Sequence, residues 1–127
     1  MLVLSCQNNE PTQKENKLKR KVEKVLEYYP DGKKKLEGEL VNGERHGIWK
    51  YYYKNGFLWS EGKYWYGARK GYSTVYHENG KKKLEGEYEN DLKVGKWKLW
   101  TEDGSLYKTI NMDELLSSDD SLKLELK

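Results

Sequence analysis

Cysteine, histidine and proline are scarce in this chain, and a long apolar run is missing. Among 127 residues there are one cysteine, two histidines and two prolines. A single cysteine cannot close a disulfide within the chain, which excludes a disulfide-stapled fold. No stretch approaches the roughly 20 apolar residues that a bilayer-spanning helix needs. The net charge is only +3, with lysines and glutamates interleaved rather than segregated. The absence of a basic stripe argues against nucleic acid as a partner.

Aromatic residues are plentiful where other core-forming residues are not. The chain has five tryptophans and eleven tyrosines, although it is only 35% hydrophobic and is 35% charged. This aromatic content is too high for a disordered chain. Amphipathic rings can pack on one side and meet water on the other, so the composition favours a fold one sheet thick.

Glycine recurs with a period of 24 residues. The octapeptide GKKKLEGE occurs at 32–39 and again at 80–87, and Gly56 lies midway between the two copies. Self-similarity at a fixed period is the signature of a repeat architecture. All twelve glycines fall into four phases: Gly32, Gly56, Gly80 and Gly104; Gly38, Gly62 and Gly86; Gly43 and Gly67; and Gly47, Gly71 and Gly95. We interpret the first, second and fourth phases, with Trp49 and Trp97, as the residues that define the repeat.

Each repeat has the pattern of two β-strands and two turns. Asparagine or aspartate precedes every glycine of the first phase, and Asn-Gly and Asp-Gly pairs favour two-residue type I′ turns. Between these turns apolar and charged residues alternate, which is the period of a half-buried strand. We predict strands at about 33–41 and 47–54, a loop at 42–46, repetition of the pattern at 57–78 and 81–102, and partial units at 22–29 and 106–110. The predicted fold class is all-β: an elongated, single-layer antiparallel meander of about eight strands, built from 24-residue hairpin repeats with a short C-terminal cap.

Counting outward from a two-residue turn at Asn55-Gly56 assigns individual pairs. It places Trp49 opposite Gly62, and we expect the indole ring to cover this glycine, since a large ring shields bare strand backbone. The same count pairs Val25 with Gly38 and Ser73 with Gly86. One face then carries most apolar side chains. The other carries lysines, glutamates and a row of rings 24 residues apart: Tyr28, Tyr52, Tyr76 and Trp100. This row is either a stack that stiffens the sheet or a line of anchors for a protein or for sugar rings.

Two segments carry a family resemblance: LEGELVNGERHGIWKYYYKNG at 36–56 and LEGEYENDLKVGKWKLWTEDG at 84–104. They resemble the MORN repeat (membrane occupation and recognition nexus), and the tryptophan in the second strand makes them more similar to the bacterial subtype grouped as YwqK-family antitoxins. The resemblance implies a twisted sheet of stacked hairpins and a binding role, with a protein, a membrane lipid or a cognate toxin as partner. The middle unit departs from the pattern at Ser60, where leucine is expected, and at Ser73, where tryptophan is expected. In the third unit Asp91 takes the place of a glycine.

The two ends of the chain lie outside the period. Residues 3–6, Val-Leu-Ser-Cys, resemble a bacterial lipobox, although the apolar run before Cys6 is shorter than a working signal has. Lipidation at Cys6 would tether the protein to the bacterial cell envelope; without it the protein is expected in the cytoplasm. We therefore divide the chain into a start and polar tether at 1–17, the repeat sheet at 18–112 and a C-terminal cap or tail at 113–127.

The sequence shows no set of residues with the spacing of a catalytic or metal site. His46 and His77 are far apart and are expected to be solvated, and the pairs Glu37/Glu39 and Glu85/Glu87 are expected to form cross-strand salt bridges with lysines. The lysine runs at 33–35 and 81–83 are interpreted as solvated turn-edge charges or as contacts with anionic lipid headgroups. We expect a non-enzymatic scaffold that binds another protein, without a cofactor. The alternatives are a binder of phospholipid headgroups and a binder of envelope glycans.

Overall fold

A computed structural model describes residues 19–118 of the chain. Over this range the chain forms one antiparallel sheet in which every strand pairs with its neighbours in sequence, followed by one short helix. The elements are β1 (Val22–Tyr28), β2 (Lys34–Val41), β3 (Glu44–Tyr52), β4 (Leu58–Trp65), β5 (Ala68–Tyr76), β6 (Lys82–Glu89), β7 (Leu92–Trp100), β8 (Leu106–Asn111) and α1 (Met112–Ser118). The predicted single-layer all-β meander is confirmed. Cys6 and the terminal leucines at 122–126 lie outside the described residues.

The turns at the first-phase glycines differ from the prediction. Gly56 has a φ of 93°, but its partner Asn55 does not share the positive φ that a type I′ turn requires at both positions. Instead, the Gly56 amide donates to Tyr53 O and the Tyr53 amide donates to Phe57 O, which closes a three-residue loop. The register then slips by one residue between Tyr51 and Tyr52. Loop and bulge offset each other, so the predicted pairing of Trp49 with Gly62 is nevertheless correct.

The type I′ turns lie at the opposite ends of the strands. Asn42 and Gly43 both have positive φ, and Val41 pairs directly with Glu44, so the predicted loop at 42–46 is wrong. The equivalent turns are 66–67 and 90–91. Asp91 adopts a φ of 67° where a glycine was expected, and its side chain accepts a hydrogen bond from the Arg69 amide. Aspartate tolerates this left-handed conformation better than most residues because its short polar side chain can bond locally.

The second strand of each complete repeat contains a bulge. Glu37 pairs with Lys50 and Glu39 pairs with His46, so three residues of β3 face the single residue Gly38. Gly47, with a φ of 74°, supplies the left-handed backbone that the bulge needs. Trp49 is the last of these three residues, in the part of β3 that faces Gly38.

Side chains next to the three-residue loops link each hairpin to the next by hydrogen bonds. The Tyr29 hydroxyl donates to Tyr52 O at 2.6 Å, and the Tyr53 hydroxyl donates to Tyr76 O at 2.7 Å. His77 occupies the same phase of the period, and its Nε2 lies 2.9 Å from Trp100 O. The expectation that His77 is merely solvated is therefore wrong. This ladder was missed in the sequence because it involves backbone carbonyls, which carry no residue signature.

The buried core is small, as a one-layer sheet requires. Within residues 19–115 only four apolar side chains are fully buried: Val41, Trp49, Trp97 and Met112. Helix α1 packs on β7, and Asp113 at its start accepts a hydrogen bond from the Gly95 amide. The helix thus covers the end of the last complete repeat, in line with the need of repeat arrays for capped ends. No helix among the described residues is long and apolar enough to cross a bilayer.

Candidate functional site

One face of the sheet, called here the ring face, carries three rows of side chains that cross the strands. The first is mostly apolar and contains Leu36, Tyr51, Ser60, Val75, Leu84 and Leu99 in successive register pairs. The second contains strand glycines and the residues paired with them: Val25 with Gly38, Trp49 with Gly62, and Ser73 with both Gly62 and Gly86. The third alternates rings with cations: Arg45, Tyr64, Arg69, Tyr88 and Lys93. The pairings of Val25 with Gly38, Trp49 with Gly62 and Ser73 with Gly86 agree with the prediction.

The tryptophans of the ring face do not cover the glycines that were expected. A Cβ atom added at Gly38 would lie 2.8 Å from Trp49 Cε3, and one added at Gly86 would lie 2.6 Å from Trp97 Cγ. At Gly62 the nearest atom to such a Cβ is Ser73 Oγ, at 3.7 Å. Each indole therefore lies over the glycine of the preceding strand. The expectation that Trp49 covers Gly62 is wrong: no indole lies over Gly62, and the only ring atom within 4 Å of such a Cβ is Tyr64 Cε2, at 3.9 Å.

The uncovered glycine forms the floor of a groove. Because the residue 24 positions after Trp49 is Ser73, the indole that would lie over Gly62 is missing. The space left, called here the groove, is about 300 Å³ in volume and lies between Trp49 and Trp97, with Tyr51, Val75, Leu84 and Tyr88 along its sides. Ser60 and Ser73 both line it. The two departures of the middle unit from the repeat pattern thus fall in one place, which the sequence alone did not show.

Cations lie against the rings at one side of the groove. The Arg45 guanidinium carbon is 4.6 Å from the Trp49 ring centroid, and its Nη1 donates to the Tyr64 hydroxyl at 3.4 Å. Arg69 lies 5.0 Å from the Tyr88 ring centroid and donates to its hydroxyl at 3.0 Å. Such cation–π contacts hold the guanidinium groups in place while leaving other donors free. Lys93 continues the row, 4.9 Å above the Trp97 ring.

None of these cations has a carboxylate partner among residues 19–118. The ion pairs of this region all involve other lysines, such as Lys34 with Glu37 and Lys82 with Glu85. Burial lowers the pKa of Arg69, but its interactions with Tyr64 and Tyr88 outweigh burial and leave the pKa raised. Glu61 also lines the groove, but its ion-pair partner is Lys50, at 3.8 Å, so the arginines beside the groove are not paired with this carboxylate. The sequence shows these cations 24 residues apart, as Arg45, Arg69 and Lys93, but they were not recognised as a site feature.

The predicted aromatic row lies on the opposite, charged face. The Tyr52 hydroxyl donates to Glu37 at 2.6 Å, and Lys82 lies 5.7 Å from the Trp100 ring centroid. Burial, followed by this hydrogen bond, raises the pKa of Tyr52 to about 12. Tyr28, Tyr52, Tyr76 and Trp100 belong to alternate strands, which are about 9–10 Å apart, so neighbouring rings are too distant to stack. Their role as binding anchors stays a prediction.

A second group of exposed rings lies at the turn 66–67. Trp65 and Tyr66 are 53% and 43% exposed, and both rings contact the His46 imidazole at centroid distances of 4.7 and 4.4 Å. The Tyr66 amide also donates to His46 Nδ1, so His46 is engaged rather than solvated. Tyr66 has a φ of 42°, which is strained for a bulky residue, whereas asparagine occupies this turn position at 42 and 90.

Histidine and acidic side chains are the candidates for binding a metal ion in this structure. Across residues 19–118 no group of three or more histidine, aspartate or glutamate side chains is placed to hold a metal ion. The paired glutamates were expected to form cross-strand salt bridges; Glu37 and Glu85 instead bond lysines three residues earlier on the same strand.

Comparison with known protein families supplies an assignment for these repeats. The model of the MORN repeat variant matches four times, at residues 24–42, 45–66, 69–90 and 93–114, which together exceed half of the chain. The chain belongs to the MORN-repeat family. Searches among curated proteins and among solved structures found no match. The second, third and fourth MORN repeats begin at Arg45, Arg69 and Lys93, so the cation row marks the same position in three successive units. MORN repeats indicate a repeat-based binding or scaffold role.

Proposed function

We propose that this MORN-repeat protein is a non-enzymatic binding protein and that another protein docks on its ring face. The observation that carries the proposal is the groove at Ser73, a concave site with aromatic walls and arginines at its side. Tyrosine, tryptophan and arginine are the residue types that dominate the energetic centres of protein interfaces. A concave spot at the middle of the array also allows flanking repeats to contribute a surrounding rim.

Exposed rings beside the groove extend the proposed interface. Trp59 is 45% exposed and occupies the bulge of β4, where its ring contacts Tyr51 at 5.9 Å and Tyr53 at 6.1 Å between centroids. A ring held by its neighbours loses little side-chain entropy on binding. The turn-edge lysines are less available, since Lys33 and Lys81 contact backbone carbonyls of the next hairpin. This difference favours a protein partner over lipid headgroups.

Within this class we propose a cognate toxin as the partner, which the chain would neutralise by occupying its surface. The support is the resemblance of the Trp49 and Trp97 strands to YwqK-family antitoxins. Co-expression with candidate toxins encoded by neighbouring genes tests this point. A toxin that this protein neutralises should no longer arrest growth, whereas co-purification without restored growth would contradict the proposal. Anchoring through Cys6 is a separate proposal, tested by the loss of the protein from the membrane fraction in a Cys6→Ser variant.

A matched pair of variants tests the docking face. Trp59→Ala removes an exposed ring beside the groove, and Trp65→Ala removes a similarly exposed ring from the turn cluster on the same strand. The full chain and both variants are used to capture binding proteins from the cells of origin. We expect Trp59→Ala to lose the captured partner and Trp65→Ala to retain it. Retention by both variants, or loss only with Trp65→Ala, would place the interface elsewhere.

A further inference from the structure

We propose that the groove takes a tryptophan side chain from an acidic segment of the partner. This inference rests on the proposed function, since it names the chemistry of the segment that docks on the ring face. Two independent features of the described residues carry it: a position in the period where an indole is missing, and a row of cations without carboxylate partners.

The shape of the groove argues for an aromatic occupant. In two repeats an indole lies over a strand glycine: Trp49 over Gly38 and Trp97 over Gly86. In the middle repeat the glycine, Gly62, is present but the indole is not, and the hollow of about 300 Å³ has room for one. A ring inserted from outside would lie on the same kind of surface that the chain's own indoles cover. Offset or edge contacts with the flanking rings would then add to its burial.

The floor of the groove favours tryptophan over other rings. Ser60 and Ser73 both line it, and neither hydroxyl takes part in a side-chain hydrogen bond with other described residues. A serine hydroxyl can accept as well as donate. The indole N–H of an incoming tryptophan would therefore find an acceptor, as the Trp49 N–H does at Glu39 O. Phenylalanine would leave these hydroxyls without a partner.

The charge beside the groove argues for an acidic segment. Arg45 and Arg69 both line the groove, and Lys93 lies beyond them on the Trp97 ring. Successive cations belong to alternate strands and are therefore about 9–10 Å apart. Carboxylates on either side of a central tryptophan would reach these cations. Pairing to a fixed guanidinium is stronger than pairing to a mobile surface lysine, because the planar fork is already oriented.

A set of peptides bound to the full chain tests the inference. The probe is a blocked pentapeptide with tryptophan between two pairs of glutamates; in one control serine replaces the tryptophan, and in another glutamines replace the glutamates. Binding is followed at low salt by NMR through the indole N–H signals of Trp49 and Trp97. We expect the probe peptide to shift the indole N–H signals of both Trp49 and Trp97. Each control peptide should bind at least about tenfold more weakly than the probe.

Variants of the chain separate binding in the groove from non-specific electrostatic binding. Ser73→Trp restores the missing indole and should abolish binding while raising the thermal midpoint. Arg45→Gln combined with Arg69→Gln should make the acidic and neutral peptides bind equally. Lys98→Gln, on the charged face between Trp97 and Leu99, should change nothing. If Ser73→Trp does not fold, Ser73→Leu replaces it. Peptide binding that is absent, unaffected by both substitutions at Ser73, or equal for the three peptides would overturn the inference. Loss of the captured partner in Trp59→Ala would still support the proposed function in that case, so the two can fail separately.

Discussion

An indole covers Gly86 but not Gly62, so the same substitution by alanine should affect the stability of the protein differently at the two positions. Gly86 and Gly62 occupy the same phase of the repeat, and neither has the positive φ that would strain an alanine. At Gly86 a new methyl carbon would lie 2.6 Å from Trp97 Cγ, about 1 Å closer than carbon atoms normally approach. At Gly62 the nearest atom is 3.7 Å away, which is ordinary contact.

The expected magnitudes follow from these distances. Forcing a methyl group into filled space costs about 1–3 kcal/mol, and Trp97 is only 1% exposed, so it has little freedom to withdraw. Replacing glycine by alanine restricts the unfolded chain, which stabilises the fold by about 0.4–1 kcal/mol where the backbone permits. Gly86→Ala should therefore destabilise the protein by about 1–2 kcal/mol, whereas Gly62→Ala should be neutral or stabilising.

Thermal unfolding followed by circular dichroism measures the difference. For a domain of this size 1 kcal/mol corresponds to a midpoint shift of about 4–8 °C. Combining Gly86→Ala with Trp97→Leu should remove most of the alanine penalty, because the clashing ring is gone. Equal midpoints for the two single variants, or a larger loss with Gly62→Ala, would refute the proposed packing of the tryptophans.

Two further predictions concern tyrosines. Tyr53→Phe removes the hydroxyl that donates to Tyr76 O and should cost about 0.5–1.5 kcal/mol in denaturant unfolding, whereas Tyr107→Phe, at a 70% exposed position, should have no measurable effect. Tyr52 should ionise well above the ordinary range of a tyrosine: its pKa is about 12 in the fold against an ordinary value of 10.0, so its contribution to stability is present below pH 10 and is lost as the pH rises through about 12. An absorbance titration that loses its most alkaline tyrosine step in Tyr52→Phe confirms this, and an unchanged titration curve contradicts it.

Much of the fold was predictable because glycine and charge patterns are local signals. The 24-residue glycine period and the alternation at 36–40 and 84–88 indicate strands and turns directly. The pairing of Trp49 with Gly62 was also correct, although for a reason that the sequence does not reveal: a three-residue loop and a one-residue bulge compensate each other. The type I′ turns were predicted at Asn55-Gly56 and its equivalents, but they lie at Asn42-Gly43 and its equivalents. Asn-Gly is compatible with both kinds of loop, and the flanking hydrogen bonds decide between them.

The candidate site was less predictable. Ser60 and Ser73 were visible as departures from the repeat, but nothing in their sequence spacing places them in one groove. Arg45 and Arg69 are in phase, but their contact with rings depends on the strand register. Both relations arise only when β3 to β6 lie side by side.

The sequence by itself determined the architecture of this protein, because each 24-residue unit contains the local signals for its own strands and turns. The tertiary structure decided which glycine each tryptophan covers and where an indole is missing. The physical reason is that each residue of an inner strand lies between two neighbouring strands, and the Trp49 ring leans towards Gly38 on one of them rather than towards Gly62 on the other. The neighbour that a side chain covers depends on the direction in which it leans, and pairing rules applied to the residue order do not contain this direction.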